Sequence, residues 1–176
     1  MYWRRRLPHW VPESSAVFVT WRLAGSKPPP APAAGPRWLG QPRIAAIFAQ
    51  ALTHGERVRR AYGLFGWVVM PNHVHVVIEP IRPLSEIMRW LKAATANRAN
   101  ELLGRTGQSF WRREYYDRWI RSERELASAI AYVEDNPVRS GLAACSEAWP
   151  WSSAYQPQGT GDKIAGVTGV ADHFIR

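Results

Sequence analysis

Cysteine is almost absent from this 176-residue sequence. Cys145 stands alone, which excludes an internal disulfide and any thiolate cluster for zinc. Acidic residues are scarce as well, 14 Asp and Glu against 23 Lys and Arg, for a formal charge of +9. No apolar run reaches the length of a membrane span, and the opening MYWRRRLPHW lacks the apolar stretch of a secretory signal. The expectation is a cytoplasmic protein without a membrane anchor, whose basic surface favours polyanions, nucleic acid first among them.

Tryptophan, by contrast, is abundant. Ten are present, several beside arginine in YWRRR, TWRL, FWRR and RWIR. Arg next to aromatic rings suits single-stranded nucleic acid, where bases stack and phosphates pair. Trp21 and Trp67 are better placed in a core.

Hydrophobic periodicity sets the elements. Residues 16–23 (AVFVTWRL) alternate, with Val17, Val19, Trp21 and Leu23 on one face and Phe18, Thr20 and Arg22 on the other, as a strand does. Residues 26–42 are too rich in Pro and Gly for regular structure. Residues 43–63 carry Ile44, Ile47, Phe48, Ala51 and Leu52 at helical spacing, with Gly55 weakening the middle and Gly63 suiting the end. Strands follow at 64–70 and 73–79, and only Pro71 and Asn72 separate them, which predicts an antiparallel hairpin. A helix is predicted over 83–104, a strand over 109–120 and a helix over 122–137. The last opens on Ser122 with Glu125 three residues on, and Pro137 ends it. The order predicts an α+β fold, a ferredoxin-like β-α-β-β-α-β sheet with one more helix and an irregular tail. One domain spans 1–155, and 156–176 form the tail.

The most informative stretch is VVMPNHVHVVIEP, residues 68–80. Strand alternation sends His73 and His75 to one face and Val74, Val76 and Ile78 to the other. If helices cover the valine face, the histidines point to the open one, where two imidazoles can chelate a divalent ion or stand unliganded. The last predicted helix brings Tyr132 and Asn136 to one face at i and i+4. Asn136 can complete an octahedral site with the histidines, and Tyr132 can serve as nucleophile or simply pack. Tyr115 and Tyr116 are equally eligible on these grounds.

MPNHVHVV, followed after a helix by SFWRREYYDRWIRSERELASAIAYVEDNPVRSGL and then WPWSS, resembles the REP-associated tyrosine transposases, part of the single-tyrosine HUH transposase class of bacterial insertion sequences. The resemblance covers residues 16–153 and places the HUH motif on His73 and His75. It implies that Tyr132, just before Asn136–Pro137, is the catalytic tyrosine and Asn136 the third metal ligand. Tyr115 and Tyr116 then lose their claim. WPWSS marks the family's C-terminal segment without an assignable chemistry, and residues 26–42 and the tail have no recognised counterpart.

What the resemblance implies is single-stranded DNA nicking and strand transfer without ATP at hairpin or palindromic repeats. Mg²⁺ or Mn²⁺ is the cofactor and a 5′-phosphotyrosine the intermediate, in a nucleoid-associated monomer or homodimer. Arg4, Arg5, Arg6, Arg112, Arg113, Arg118 and Arg121 are the expected backbone contacts. Two rivals stay open: a metal-independent single-strand binder, and a metallohydrolase using water on a phosphoester.

Overall fold

The computed structural model describes residues 15–26 and 35–157. The chain forms strand β1 (Val17–Leu23), helix α1 (Pro42–Arg57), the hairpin of β2 (Tyr62–Met70) and β3 (His73–Pro80), helix α2 (Leu84–Leu102), strand β4 (Trp111–Trp119), helix α3 (Glu123–Glu134) and a one-turn helix α4 (Asn136–Arg139). Four strands make one sheet in the order β2-β3-β1-β4, antiparallel at every pairing. The β-α-β-β-α-β order expected from the periodicity is the order observed.

The two faces of the sheet have different covers. Val17, Val19, Trp21 and Leu23 of β1 and Val74, Val76 and Ile78 of β3 lie buried against Ile44, Phe48 and Leu52 of α1 and Leu84, Ile87, Met88 and Leu91 of α2. Phe48, Phe110, Trp111 and Trp21 stack edge and face through the middle of this core. Trp21 is 2% exposed and Trp67 packs against the same core.

The opposite face is not fully open, contrary to the sequence expectation. Val68, Met70 and Val77 share it with the histidines and are buried under Ala129 and Val133 of α3, joined by Ile130 and Trp149. Three aliphatic strand residues on that face need a cover, since each stabilises by roughly 1.5–3 kcal/mol when fully buried. Gly66 gives α3 its seat: a Cβ there would lie 3.3 Å from Ile130 Cγ2.

Several boundaries also differ from the pattern. Helix α1 stops at Arg57, Arg60 turns the chain with φ +49°, and Gly63 belongs to β2. Gly55 is buried in the last turn of α1 because a Cβ would collide with Tyr62, whose hydroxyl donates to the Leu52 carbonyl at 2.8 Å. Pro137 does not end α3. The helix ends at Glu134, and Pro137 sits in the first turn of α4, where its missing N–H costs nothing. Ser122 does cap α3, accepting from the Glu125 N–H at 3.2 Å.

Residues 149–153, the WPWSS segment, run along the outer edge of β2. Trp149 Nε1 donates to the Val69 carbonyl at 3.0 Å, and the Val69 N–H donates to the Trp151 carbonyl at 2.8 Å. Ser153 donates from its N–H to the Trp67 carbonyl at 2.9 Å and from its hydroxyl to the Glu134 carboxylate at 2.7 Å. The segment therefore straps the end of α3 to β2.

Candidate active site

Antiparallel register builds the site in rows across the sheet. Val68, His75, Thr20 and Tyr116 are successive partners from β2 to β4. Met70, His73 and Arg22 form the row on one side, and Val77, Phe18 and Arg118 that on the other. Strand alternation puts all of them on the α3 side. Helix α3 covers the β2–β3 half, and the remainder is a cavity of about 580 Å³ over β1 and β4. Phe18, Thr20, Arg22, His75, Tyr116 and Tyr132 are among its lining residues.

His73 and His75 meet at their Nε2 atoms, 3.0 Å apart. Each ring is held at its other nitrogen, His73 Nδ1 by Asn72 Oδ1 at 2.6 Å and His75 Nδ1 by Thr20 Oγ1 at 2.6 Å. The Asn72 oxygen can only accept, so His73 carries its proton on Nδ1 and its Nε2 accepts from His75 Nε2–H. Thr20 then donates to His75 Nδ1, completing a relay from Thr20 to Asn72 in which every group is satisfied.

Burial, with the neighbouring His75 and Arg22 charges, pushes His73 down to about 2. Burial and Arg22 push His75 down to about 3. Both imidazoles are therefore neutral at neutral pH, the form that ligates metal. Arg22 is itself lowered, by burial and then by Arg112.

The donor set suits a small divalent ion. An octahedral ion with bonds near 2.1 Å sets neighbouring donors about 3 Å apart, which is the spacing of the two Nε2 atoms. Metal-bound histidines ordinarily donate their second N–H to an oxygen, and Asn72 and Thr20 each present one. Were His75 to hold a cation through Nε2, its proton would stand on Nδ1 and the Thr20 hydroxyl would accept it. Among the described residues no cluster of three His, Cys, Asp or Glu surrounds the pair. Asn136 is 8% exposed at the start of α4, one turn beyond Tyr132, and its amide makes no side-chain hydrogen bond among the described residues.

Tyr132 stands over His75, ring centroids 5.9 Å apart, with Phe18 beside both at 5.3 Å from His75 and 6.0 Å from Tyr132. It is 41% exposed, and the Arg139 guanidinium lies 5.3 Å from its ring centre. Tyr115 lies on the other face, half-buried against the α1–α2 core, and burial and nearby Asp117 push its hydroxyl up to about 12. Tyr116 lines the cavity two strands away from His75.

The arginines divide. Arg118 lines the cavity and pairs with Glu125 at 2.8 Å. Arg112 and Arg113 are exposed where the β1–β4 register shifts, and their carbonyls accept from Lys92 Nζ at 2.8 and 2.7 Å. Arg121 is exposed beside the α3 cap. Arg4, Arg5 and Arg6 lie outside the described residues, as does the tail beyond residue 157. Sequence reasoning passed over Thr20, Asn72 and Phe18. The alternation of β1 had put Phe18, Thr20 and Arg22 on one face, but only the β1–β3 register brings that face to the histidines.

Residues 46–136 match the family model described as Transposase IS200 like. A Haemophilus influenzae protein, provisionally named a REP-associated tyrosine transposase, is 33% identical over 46 residues, which is 26% of either chain. The chain thus spans about a quarter of that relative. A solved structure described as a REP-associated tyrosine transposase bound to a REP hairpin superposes with a TM-score of 0.64 at 20% identity, over 97% of this chain and 96% of that one. At that identity the likeness is one of fold. The family model takes in the histidine pair, Tyr132 and Asn136 within more than half of the sequence, and the chain belongs to the IS200-like transposase family.

Proposed function

We propose that this protein nicks and rejoins single-stranded DNA at hairpin or palindromic repeats, with Tyr132 as nucleophile and His73, His75 and Asn136 as ligands of Mg²⁺ or Mn²⁺. The observation that carries the reading is the convergence of two neutral imidazole Nε2 atoms, 3.0 Å apart, beneath a half-exposed tyrosine on an independent helix. The bound cation supplies a Lewis acid toward a scissile phosphate.

The chain's own groups do the rest. Thr20 and Asn72 fix the imidazole planes. Arg22, Arg118 and Arg139 bring positive charge to the cavity and its rim, where a phosphodiester is attracted. The Tyr132 hydroxyl gives up its proton as its oxygen attacks phosphorus in line, the bond to the 3′ oxygen breaks, and that oxygen takes up a proton to leave as a 3′-hydroxyl. The product is a 5′-phosphotyrosine, which keeps the phosphodiester energy, so an incoming 3′-hydroxyl can displace Tyr132 and rejoin strands. Residues 1–155 form the catalytic domain in this reading, acting on DNA in the cytoplasm as a monomer or homodimer. Among the described residues no helix is long and apolar enough to cross a membrane.

The test uses end-labelled single-stranded DNA carrying genomic palindromes, with Mn²⁺ present or chelated, resolved on a denaturing protein gel. A labelled adduct that needs both metal and Tyr132, and vanishes in Tyr132→Phe, is the expected result. Metal-dependent cutting that survives Tyr132→Phe overturns the assignment in favour of water as nucleophile.

A further inference from the structure

The cavity extends well past the groups that the proposed chemistry uses. Its far wall is Tyr116, which stands in the same row as His75 with Thr20 between them. Two strand spacings, roughly 10 Å, separate the two, comparable to the reach from a backbone phosphate to the base of its own nucleotide. Tyr116 is 50% exposed. Among the described residues no ring stacks on it and no group bonds its hydroxyl, whereas Phe18, His75 and Tyr132 are all engaged with one another.

The surroundings are those of a stacking site. Across the cavity α3 presents Ser128 and Ala129, two small side chains, so a flat ring has room between sheet and helix. Arg22 lies two residues beyond Thr20 on β1, and Arg118 two beyond Tyr116 on β4, so a cation flanks the row on each side. Glu125 holds Arg118 in place at 2.8 Å. The volume of about 580 Å³ falls within the range of small-molecule sites. An unpartnered aromatic flanked by cations is what single-strand platforms use, because every base has a π-face and every linkage a negative charge.

We infer that Tyr116 is the stacking platform for the base of a nucleotide next to the scissile phosphate, and that the cavity between β4 and α3 is a single-nucleotide subsite. This rests on the proposed function for the location of that phosphate, but it predicts DNA contact whether or not the bond is cut. Tyr116 is a binding residue here and takes no part in proton transfer or attack.

The test is photocrosslinking with metal chelated, using the full chain and an oligothymidylate of about twelve nucleotides carrying 5-iododeoxyuridine, followed by peptide mapping. The expected crosslink falls on Tyr116. Tyr116→Ala should lose it and weaken binding about 5- to 150-fold, as the loss of one base–aromatic stack implies, while Tyr116→Phe keeps both. Crosslinks confined to other residues, equal binding by Tyr116→Ala, or no binding by the wild type overturns the inference. A missing Tyr132 adduct with the Tyr116 crosslink intact would instead remove the nicking reading alone.

Discussion

Lowering the pH from about 8 to about 5 is expected to weaken folding through His73 and His75. In the unfolded chain both titrate near 6.5. In the folded chain, burial and the neighbouring positive charge hold them near 2 and near 3. Between those values the unfolded state binds more protons than the native one, so stability is complete above about pH 6.5 and declines as the pH falls toward 3. At pH 5 the unfolded form of each histidine has gained about 1.5 pH units of protonation, worth on the order of 2 kcal/mol. Both stay neutral in the folded chain at that pH, so the two contribute about equally. Even half of the combined effect is a large fraction of a domain stability of about 5–15 kcal/mol. Urea unfolding at a series of pH values, for the wild type and a His73→Asn/His75→Asn double variant, isolates the pair from the carboxylates and from His54. The double variant should show the shallower pH dependence. Equal slopes would refute the reasoning. So would an imidazolium resonance with an ordinary pKa, because two Nε2 atoms at 3.0 Å could then be sharing one proton stably despite Arg22.

Thr20→Val keeps the shape of the side chain and removes the oxygen bonded to His75 Nδ1, so Mn²⁺ affinity by calorimetry should fall about 10- to 100-fold, while Thr20→Ser should restore most of it. A Thr20→Val protein with unchanged affinity would show that His75 needs no oxygen partner. Gly55→Ala places a methyl against the Tyr62 ring and should destabilise by about 1–3 kcal/mol, seen as a lower urea midpoint, although Ala is ordinarily the better helix former. An unchanged or higher midpoint would mean that the α1–β2 contact yields easily.

How much of this was legible in the sequence depends on the distance over which each feature is decided. Alternation in β1 and β3 is local, so the two faces of the sheet and the pairing of His73 with His75 could be read directly. The hairpin followed from Pro71 and Asn72 alone. The partial burial of the histidine face was less evident. Val77 shares the parity of the histidines within β3, but Val68 and Met70 join that face only once β2 is registered against β3. Thr20 was visible as a polar residue on the right face and invisible as a partner of His75, because 55 residues separate them. Gly55 looked like a helix weakener until Tyr62 supplied the reason for it. Pro137 ended one helix in the pattern and opens another in the structure, since a first-turn proline and a terminating proline look alike one residue from the break.

The strap of residues 149–153 gives the site an order of assembly. Its bonds to Trp67 span 86 residues of chain, against 55 for the bond between Thr20 and His75. Contacts of long sequence separation close large loops and tend to form late. On a ribosome working from the N-terminus, the sheet, the paired imidazoles and their Thr20 and Asn72 anchors can all be present before Ser153 exists. Glu134 and the outer edge of β2 wait for that residue. An incomplete chain can therefore hold the histidine pair in place before the Tyr132 helix is firmly seated.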